Sequence, residues 1–546
     1  MVSEEILVDE SLGIEYNVVR HYTRRSEAEC AWEHEVPNIC SAEATLTRDK
    51  QRRISGMRLR DLLEAVGYTC LQGDIDTEIH GISQDNRKVE PGNLFICIAG
   101  SRFDTHELTM EIAARGAAAF VAERPVEAPS GTTVVLVESC RAAMARIYAA
   151  FYGYPSRGMK LVGITGTKGK TTTAQMIVSV LKAGGLKVGS IGTNGTDYDG
   201  KHIENGNTTP DSYEIQRHLR GMADAGCQAV VLEVSSQAEK MHRVDGLEFD
   251  YSIFTNISPG DHVSPTEHKD FAEYMECKSM LFDHSKVAFV NRDDENWEKI
   301  VEGRSCRAFT YGCSPEADYR AEILEKAQVH GLPGLRLVTS GQDSGEYLVN
   351  MPGLFNGYNA LAAVCIGRAF GISQEKMQEA LCRLYIPARL EMVYVSDKLS
   401  VCVDSAHSGY SMQHLIEALR EYHPKRVIVI FGCGGNRSRD RRFDMGEVCG
   451  NLADFSIVTT EHNRFETFES IVRDIREGLG RTKGSYMVIE DRAAAIRYAI
   501  ERAQDGDMIA VTGLGHDKHQ AISGKNVPFD DVAFARATLK EFGYLQ

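Results

Sequence analysis

The chain has no two cysteines in a C-x-x-C pair, although it contains 14 cysteines in 546 residues. Pairs of that spacing are the usual signal of a zinc site, and an ordered cysteine framework is typical of small secreted domains. Scattered cysteines are instead typical of reduced thiols in a cytosolic protein. The sequence therefore predicts neither zinc nor disulfides, and it favours a cytoplasmic location.

The chain also lacks an excess of basic residues and any long apolar run. It contains 61 Lys and Arg against 77 Asp and Glu, a net charge of −16. A broad nucleic-acid surface needs a basic face, so nucleic acid is not an expected partner. No apolar stretch reaches the 18 residues that suggest a membrane span, and the acidic start does not resemble a secretory signal. An anionic substrate would have to meet local clusters of Arg and Lys.

Apolar strand-like segments alternate with helix-like segments through most of the chain, and 43% of its residues are hydrophobic. This alternation favours parallel sheets wrapped by helices. We predict an α/β fold with three domains: a small N-terminal α/β domain, a central parallel sheet around a phosphate loop, and a Rossmann-like C-terminal domain. The predicted boundaries are an extension of unknown role over 1–55, followed by domains over 56–157, 158–385 and 386–546.

The most informative segment is Gly163–Thr173, with the sequence Gly-Ile-Thr-Gly-Thr-Lys-Gly-Lys-Thr-Thr-Thr. A strand-like segment precedes it and a helix-like segment follows it, which is the context that a phosphate loop requires. The backbone N–H groups of such a loop and the start of its helix face phosphate groups. Lys170 is suited to neutralise terminal phosphates, and Thr171 is suited to bind Mg²⁺. The alternative is an ordinary glycine-rich turn, which the flanking elements disfavour.

Three further candidates follow in the same half of the chain. Glu233 ends the strand-like segment Ala229–Glu233, where α/β sheets bind ligands, and its carboxylate is suited to Mg²⁺; a surface or capping role is the alternative. His262 comes just after the strand-like segment Tyr251–Thr255, and an isolated histidine is more often structural. Lys278 lies on a partly apolar helix-like segment. The simplest interpretation is that its aliphatic chain packs on this segment while its ammonium group extends into solvent.

The second half of the chain contains three polar motifs next to predicted elements. A helix-like segment carries Asn356 and Asn359 one turn apart, and a strand-like segment ends in Asp404, which is followed by His407. Further on, a glycine-rich turn leads into the arginine cluster Arg437–Arg442. In an acidic protein, such a cluster beside flexible glycines favours an anion site, with a solvated charged loop as the alternative.

In this order, the motifs resemble those of the Mur ligases, from about residue 57 to the end of the chain. The resemblance is strongest to the members that add the third residue of the cell-wall peptide. It implies an ATP-dependent amide ligase that joins a dibasic amino acid to the D-glutamate of UDP-N-acetylmuramoyl-L-alanyl-D-glutamate through an acyl phosphate. The implied role is peptidoglycan precursor synthesis, the implied partners are a UDP-muropeptide and an amino acid, and the implied state is a monomer.

The resemblance also implies which residues act on ATP and metal. Lys170, Glu233, His262 and Lys278 are the implied catalytic residues, and Lys278 is expected to carry a carbamate. The implied Mg²⁺ ligands are Thr171, Glu233, His262 and Lys278. The residues implied to bind ATP are Gly166, Thr167, Lys168, Gly169, Lys170, Thr171, Thr172, Asn359, Arg389, Asp404 and His407. Lys168 departs from the family, in which this position is usually Asn.

The positions implied to hold the UDP-muropeptide are Asn86, Ser101, Asn207, Thr208, Thr209, Ser235 and Arg243. Those implied to hold the acceptor amino acid are Arg442, Arg464, Gly513 and Asp517. The family's Asp-Asn-Pro-Arg signature for diaminopimelate appears here as Glu461-His462-Asn463-Arg464. Because Arg464 is suited to pair with an acceptor carboxylate, it favours meso-diaminopimelate over L-lysine. Asp517 keeps an acid where the acceptor's distal amine is expected.

Other functions remain as alternatives at this point. One is another amide ligase of the same fold, such as a folylpolyglutamate synthetase or a muropeptide-modifying paralogue. The folate enzymes usually have Ser after the loop's Gly-Lys-Gly and lack the first, uridine-binding domain. A second is a nucleotide-binding module without ligase activity, which the combination of Glu233, His262 and Lys278 disfavours. A third is a plain ATPase switch, which has no use for an arginine-rich third domain.

Overall fold

The computed structural model of the chain describes residues 4–9, 14–19, 56–100, 103–259, 263, 267–515 and 517–545. Two strands near the start, β1 (Glu4–Asp9) and β2 (Ile14–Val19), pair antiparallel. The rest of the predicted extension over 1–55 lies outside the described residues. The chain divides into two compact units, one over residues 28–318 and 365–371, and the other over residues 1–27, 319–364 and 372–546. None of the described helices combines the length and the apolar character that crossing a membrane requires.

The first unit opens with a small five-stranded sheet in the order β4-β9-β8-β7-β6. It is parallel except where β4 joins β9, and the separate pair β3-β5 is antiparallel. The first helix, which begins at Leu59, is only four residues long. The strands are β3 (Met57–Arg58), β4 (Thr69–Gln72), β5 (Glu78–Ile79), β6 (Gly81–Ser83), β7 (Asn93–Ile96), β8 (Ala119–Ala122) and β9 (Thr133–Leu136). The helices are α1 (Leu59–Leu62), α2 (Thr109–Ala114) and α3 (Cys140–Phe151).

The second sheet of the first unit contains the phosphate loop. Its strands are β10 (Lys160–Thr165), β11 (Val188–Gly192), β12 (Gly195–Tyr198), β13 (Lys201–Ile203), β14 (Ala229–Glu233), β15 (Phe249–Phe254), β16 (Ser285–Asn291) and β17 (Arg307–Gly312). Its helices are α4 (Lys170–Ala183), α5 (Ser212–Asp224), α6 (Ser236–Lys240), α7 (Phe271–Ser279) and α8 (Trp297–Val301). The strand order is β13-β12-β11-β14-β10-β15-β16-β17, and the strands from β11 to β17 in that order are parallel.

This order determines which side chains reach the phosphate loop. Strand β10 lies between β14 and β15, with Ile164 opposite Glu233 and Thr165 opposite Phe254. Apart from the exposed Lys160 at the start of β10, these strands are largely apolar and buried, as is typical of central strands covered on both faces. Since parallel strands end at the same sheet edge, the residues that follow β14 and β15 flank the loop that follows β10.

At the amino ends of these strands, away from the phosphate loop, Asp250 near the start of β15 links β15 to β10 and β16. Its carboxylate accepts hydrogen bonds from the Lys160 ammonium (2.9 Å), the Leu161 backbone N–H (3.1 Å) and the Lys286 ammonium (3.3 Å). Burial alone would raise the pKa of Asp250, but these bonds and charges outweigh burial and hold the pKa below its usual value. The ionised form is therefore stabilised by folding.

We expect Asp250→Asn to lower the free energy of unfolding by about 1–2 kcal/mol at pH 7, because the amide cannot attract two ammonium groups. The pKa of this carboxyl group is lower in the folded protein than in the unfolded chain. Its contribution to stability is therefore complete above the unfolded-state pKa and is lost as the pH falls through the folded-state pKa. The difference between the two proteins should therefore shrink as the pH drops below about 4. Denaturant titrations at several pH values measure it, and a difference that is constant from pH 7 to pH 3 would contradict the ion-pair explanation.

The second unit combines an antiparallel three-stranded meander with a mainly parallel sheet. The meander is β18 (Tyr319–Val329), β19 (Leu332–Gly341) and β20 (Gly345–Val349), followed by helices α9 (Phe355–Ala369) and α10 (Gln374–Cys382). Residues 365–369 of α9 belong to the first unit. Helix α9 contains Asn356 and Asn359, as the sequence predicts.

The C-terminal sheet has the order β21-β22-β26-β23-β24-β25, parallel except for β21. Its strands are β21 (Glu391–Val395), β22 (Leu399–Asp404), β23 (Arg426–Phe431), β24 (Phe455–Val458), β25 (Tyr486–Val488) and β26 (Asp507–Thr512), with a separate hairpin of β27 (His519–Ile522) and β28 (Lys525–Pro528). The helices are α11 (Gly409–Arg420), α12 (Asp440–Leu452), α13 (Phe468–Leu479), α14 (Arg492–Glu501) and α15 (Asp531–Glu541). The predicted α/β class with parallel sheets is confirmed, whereas the three domain boundaries stay predictions.

Candidate active site

The loop between β10 and α4 has the backbone geometry that a phosphate cradle requires. Gly166 and Gly169 have φ values of 149° and 84°, which favour glycine. A Cβ on Gly166 would lie 1.9 Å from the hydroxyl oxygen of Thr255, so no larger residue fits there. Asn256 holds the loop, because its backbone carbonyl accepts from the Thr167 N–H (2.7 Å) and its side-chain oxygen accepts from the Lys168 N–H (3.0 Å).

Helix α4 begins directly after this loop, at Lys170. The first N–H groups of a helix have no intrahelical acceptor and carry a partial positive charge. Thr171 and Thr172 are buried in this first turn. The arrangement is that of an anion-binding helix start, and its residue types fit a polyphosphate.

Two ammonium groups meet at one backbone oxygen of the loop. The Lys170 ammonium donates to the carbonyl of Gly166 (2.8 Å) and to that of Thr167 (3.2 Å). The Lys278 ammonium, on α7, donates to the same Gly166 carbonyl at 2.9 Å and lies 4.5 Å from the centre of the Tyr274 ring. Two like charges at one point create a strongly electropositive spot, which suits phosphate.

The interpretation of Lys278 as a lysine with a solvent-exposed ammonium is wrong. Its side chain is 1% exposed, and α7 turns it inward to the loop. A lysine is rarely buried to this extent without a specific partner. The burial therefore makes Lys278 a candidate functional residue on structural grounds.

Glu233 lies next to this loop at the end of β14, and it is 2% exposed. Its carboxylate accepts hydrogen bonds from the Thr171 hydroxyl (2.9 Å), the Thr193 backbone N–H (3.0 Å) and the Thr193 hydroxyl (3.1 Å). A Cβ on Gly192 would lie 2.2 Å from its Oε1 atom, so glycine is needed there. A carboxylate among hydroxyl groups is the kind of hard oxygen set that Mg²⁺ prefers, and these residues fit that ion.

The sequence did not identify Thr193 as a residue of this site, although it contacts Glu233. It follows β11, the neighbour of β14, so its position at the carboxyl edge of the sheet was the available signal. His262, predicted as a metal ligand, lies outside the described residues. Within the part of the chain that the structure describes, no group of three His, Cys, Asp or Glu side chains could hold a metal ion.

Several residues predicted to hold the UDP-muropeptide adjoin Glu233. The Thr209 hydroxyl donates to the backbone carbonyl of Glu233 (2.8 Å) and accepts from the Ser235 N–H (3.0 Å). The Arg243 guanidinium donates to the carbonyl of Thr209 (2.8 Å). Thr208 contacts the Thr193 hydroxyl at 3.1 Å. The segment around Thr209 is thereby fixed beside the phosphate loop.

The remaining predicted substrate positions of the first unit are more dispersed. Asn207 is exposed next to Thr208. Asn86 lies in a short 3₁₀ turn, Asn86–Lys88, next to the small N-terminal sheet. Ser101 lies outside the described residues.

In the second unit, the end of β22 gathers three of the predicted ATP residues. The Asp404 carboxylate accepts from the backbone N–H groups of Leu390 (2.8 Å) and Ala406 (2.7 Å). Burial raises the pKa of Asp404, and the nearby charge of Arg389 opposes this rise. His407 contacts the carbonyl of Ser405 through Nδ1 at 2.7 Å.

The backbone on both sides of Arg389 is strained. Ala388 and Leu390 have φ values of 53° and 44°, in the left-handed region that non-glycine residues avoid. Such strain persists where the surroundings enforce it and is common at functional sites. Asn359, the fourth predicted ATP residue of this unit, lies on α9 and donates to the side-chain oxygen of Asn356 at 2.9 Å.

The arginine cluster after β23 is partly neutralised by acids. The buried Arg442 guanidinium donates to Glu466 (2.8 and 3.0 Å) and to Asp474 (3.0 Å). Arg439 also pairs with Asp474, at 2.6 Å. Arg442, predicted to bind the acceptor, is thus held by two carboxylates, and the cluster as a whole is less cationic than its sequence suggests.

The other predicted acceptor residues follow the carboxyl ends of β24 and β26, the two strands on either side of β23. Arg464 follows β24 and donates to the carbonyl of Gly435 at 2.8 Å. Gly513 follows β26 and has a φ of 103°. His462 contacts Asp517 at 2.9 Å through Nε2, and its Nδ1 accepts from the Ala521 N–H at 3.0 Å. Because Nδ1 accepts, Nε2 carries the proton and donates it to Asp517.

Three sequence families match the chain in succession. Residues 78–152 match the catalytic domain of the Mur ligase family. Residues 164–367 match the Mur ligase middle domain, and residues 388–515 match the Mur ligase glutamate ligase domain.

Individual proteins match over nearly their whole length. The UDP-N-acetylmuramoyl-L-alanyl-D-glutamate–2,6-diaminopimelate ligase of Caldanaerobacter subterraneus subsp. tengcongensis is 38% identical over 487 residues, which cover 89% of this chain and 99% of that protein. The protein of the same name from Alkaliphilus metalliredigens is 36% identical, with 89% and 98% covered. A solved structure of a ligase of this name is 25% identical, has a TM-score of 0.64, and covers 89% of this chain and 99% of its own.

Proposed function

This chain belongs to the Mur ligase family, and from that premise we propose that it adds meso-diaminopimelate to the D-glutamate of UDP-N-acetylmuramoyl-L-alanyl-D-glutamate. It is an ATP-dependent amide ligase. The reaction belongs to the synthesis of peptidoglycan precursors. The relatives that carry this activity in their names favour it over a folylpolyglutamate synthetase or a muropeptide-modifying paralogue.

The observation that carries the proposal is the buried Thr171–Glu233 contact beside a loop at which two lysines converge. A ligase of this kind must bring the carboxylate of one substrate to the terminal phosphate of ATP, although both are negatively charged. Lys170 supplies positive charge at the loop, and Glu233 and Thr171 supply oxygen ligands at its edge. Positioning and charge neutralisation of this type account for most of the catalysis in phosphoryl transfer.

In the proposed reaction, a carboxylate oxygen of the D-glutamate attacks the terminal phosphorus of ATP, ADP leaves from that phosphorus, and an acyl phosphate forms. The acceptor's amine then attacks the acyl carbon, and inorganic phosphate leaves from the tetrahedral intermediate. The Lys170 ammonium neutralises the negative charge of the phosphoryl group as it is transferred. We propose that Thr209, Ser235 and Arg243 hold the muropeptide beside the loop together with Asn207 and Thr208, and that Asn86 and Ser101 bind its uridine nucleotide.

Mg²⁺ supplies charge neutralisation to the phosphates when it is bound. We propose that Thr171, Glu233, His262 and a carbamate on Lys278 would hold it. Lys278 is 1% exposed and its side-chain nitrogen lies 2.9 Å from the Gly166 carbonyl, and this buried place at the phosphate loop supports the assignment. In the second unit, Asn359, Arg389, Asp404 and His407 are the proposed contacts to ATP.

We also propose a role for each of the three domains, a location for the protein and its oligomeric state. The uridine nucleotide would bind to the domain over 56–157, and ATP to the domain over 158–385. The acceptor would bind to the domain over 386–546. The protein would act in the cytoplasm as a monomer.

The purified protein can be tested with ATP, Mg²⁺, UDP-muramoyl-dipeptide and one amino acid at a time, with phosphate release and product mass as the two measurements. We expect phosphate release only when both the muropeptide and an acceptor are present, and a product heavier by one diaminopimelate residue. Phosphate release that does not depend on the muropeptide would overturn the proposed function. Product formation with L-lysine but not with meso-diaminopimelate would overturn the proposed acceptor.

A further inference from the structure

A cleft opens at the amino ends of the central strands of the first unit, on the side away from the phosphate loop. Its volume is about 570 Å³, within the range of roughly 300–1,000 Å³ that is typical of small-molecule sites. Helix α3, the turn Pro155–Gly158 and the starts of β10, β15 and β16 contribute to its lining. Strand β10 starts at this cleft and ends at the phosphate loop, so roughly 16 Å of strand separates the two.

The lining of this cleft is basic, although the chain as a whole is acidic. Four of its side chains carry a positive charge and two carry a negative charge, which leaves an excess of two positive charges in a chain of net charge −16. The cations are Arg146, Arg157, Lys160 and Lys286, and the acids are Glu248 and Asp250. A concave surface focuses the field of such charges, so the cleft attracts anions that the net charge of the protein repels.

The two acids of the cleft are paired with its two lysines. Asp250 lies 2.9 Å from the Lys160 ammonium and 3.3 Å from the Lys286 ammonium. Glu248 also lies 3.3 Å from the Lys286 ammonium. Because each acid is engaged by a lysine, the positive charge that remains in the cleft belongs to the two arginines.

These arginines are held by neutral groups that leave most of their N–H donors unused. The Arg157 guanidinium lies 3.8 Å from the centre of the Tyr154 ring, a stacking contact that needs no N–H donor. Nη1 of Arg146 donates to the backbone carbonyl of Ala65 at 3.1 Å. Among the residues that the structure describes, no carboxylate forms an ion pair with either arginine. Both side chains are exposed, so a ligand can reach them from solvent.

The backbone next to both arginines has an unusual conformation that shapes the cleft. Tyr154 has a φ of 50°, in the left-handed region that non-glycine residues avoid. Gly246 has a φ of 79°, and a Cβ there would lie only 3.2 Å from Cγ of Arg146, so glycine leaves space for the arginine side chain. Backbone strain of this kind persists where the surroundings enforce it and is common at functional sites.

We propose that this cleft is a second anion site, which binds the phosphate group of a small ligand through Arg146 and Arg157. The planar guanidinium offers paired N–H donors that match phosphate oxygens, and both groups are free of competing carboxylates. The inference goes beyond the proposed function, because the cleft is separate from the phosphate loop and takes no part in ligation. The ligand is either inorganic phosphate or a small phosphorylated metabolite, which present the same group to the arginines.

Equilibrium dialysis of the intact chain with radiolabelled inorganic phosphate tests the proposal, while a non-hydrolysable ATP analogue and Mg²⁺ saturate the phosphate loop. We expect about one phosphate per chain, with a Kd on the order of 1 mM. Arg146→Gln combined with Arg157→Gln should weaken binding by at least about 10-fold, the loss expected for a charged hydrogen bond. Glycerol 3-phosphate serves as a second probe. A tighter Kd for it than for phosphate assigns the site to a metabolite, and the reverse order assigns it to phosphate.

Arg307→Gln is the matched control. Arg307 is an exposed arginine on β17 of the same unit, stacks on the Phe309 ring at 4.6 Å and does not line the cleft. This variant should bind phosphate like the wild type, which separates direct contact from a general loss of positive charge. Thermal unfolding checks that both variants are folded.

The wild-type protein would overturn the inference if it bound no phosphate while the ATP analogue occupies the loop. Equal Kd values for the wild type and the folded double variant would overturn it as well. The double variant should also keep the ligase activity of the wild type. A wild-type protein that binds phosphate in the cleft but ligates no acceptor would contradict the proposed function and not this inference.

Discussion

Lys278→Ala is expected to lower the turnover number of the ligase reaction by at least about 100-fold, the scale of losing one preorganised electrostatic group. The substitution removes the buried side-chain nitrogen that lies 2.9 Å from the Gly166 carbonyl and that would carry the proposed carbamate. Short carboxylic acids added to the variant should restore part of the activity, because they can place an anion in the space that the side chain leaves. Initial rates with and without added acid measure both effects.

The control for this experiment is Lys299→Ala, an exposed lysine on α8 of the same unit, which should keep full activity. Thermal unfolding of both variants separates a loss of fold from a loss of chemistry. Unchanged turnover in Lys278→Ala would refute a catalytic role for this residue. Loss of activity without any rescue, in a folded variant, would contradict the carbamate.

Lys170→Met should reduce kcat/KM for ATP by about 1,000-fold. The substitution removes the cation that neutralises the terminal phosphate and keeps most of the side-chain length. The fold should persist, since Lys170 is only half-buried and bonds to carbonyls of its own loop. Steady-state rates at varied ATP concentration give the effect.

Lys182→Met is the matched control, because Lys182 is exposed in the last turn of the same helix, α4. We expect wild-type kinetics from it. If Lys170→Met changed kcat/KM by less than tenfold, the phosphate loop would not act as proposed.

The strands next to the phosphate loop could be predicted from the sequence because they are apolar runs with sharp ends. The run from Ala229 to Glu233 gave the bounds of β14, and the polar residue at its end is the one that reaches the loop. Parallel strands bring their carboxyl ends to one edge of the sheet, so the pattern placed Glu233 at the same edge as the loop, whereas its contact with Thr171 also requires β14 to lie next to β10. Thr193 has no such marker, because its role depends on β11 lying next to β14, which is set by sheet order.

The burial of Lys278 could not be predicted, because the local pattern of α7 fits an exposed lysine equally well. Only the packing of α7 against a loop more than 100 residues earlier turns the side chain inward. The arginine cluster was similarly misleading by itself. Arg442 is neutralised by Glu466 and Asp474, which are 24 and 32 residues further along the chain, and a charge count in a local window does not include them.

The most direct test of the proposed chemistry follows one oxygen atom. The D-glutamate carboxylate of the muropeptide is labelled with ¹⁸O, and the inorganic phosphate released during ligation is analysed by mass spectrometry. If the carboxylate attacks ATP and an acyl phosphate forms, one labelled oxygen must move to each phosphate released. Phosphate without the label would mean that the carboxylate never carried the phosphoryl group, and this result would contradict the account.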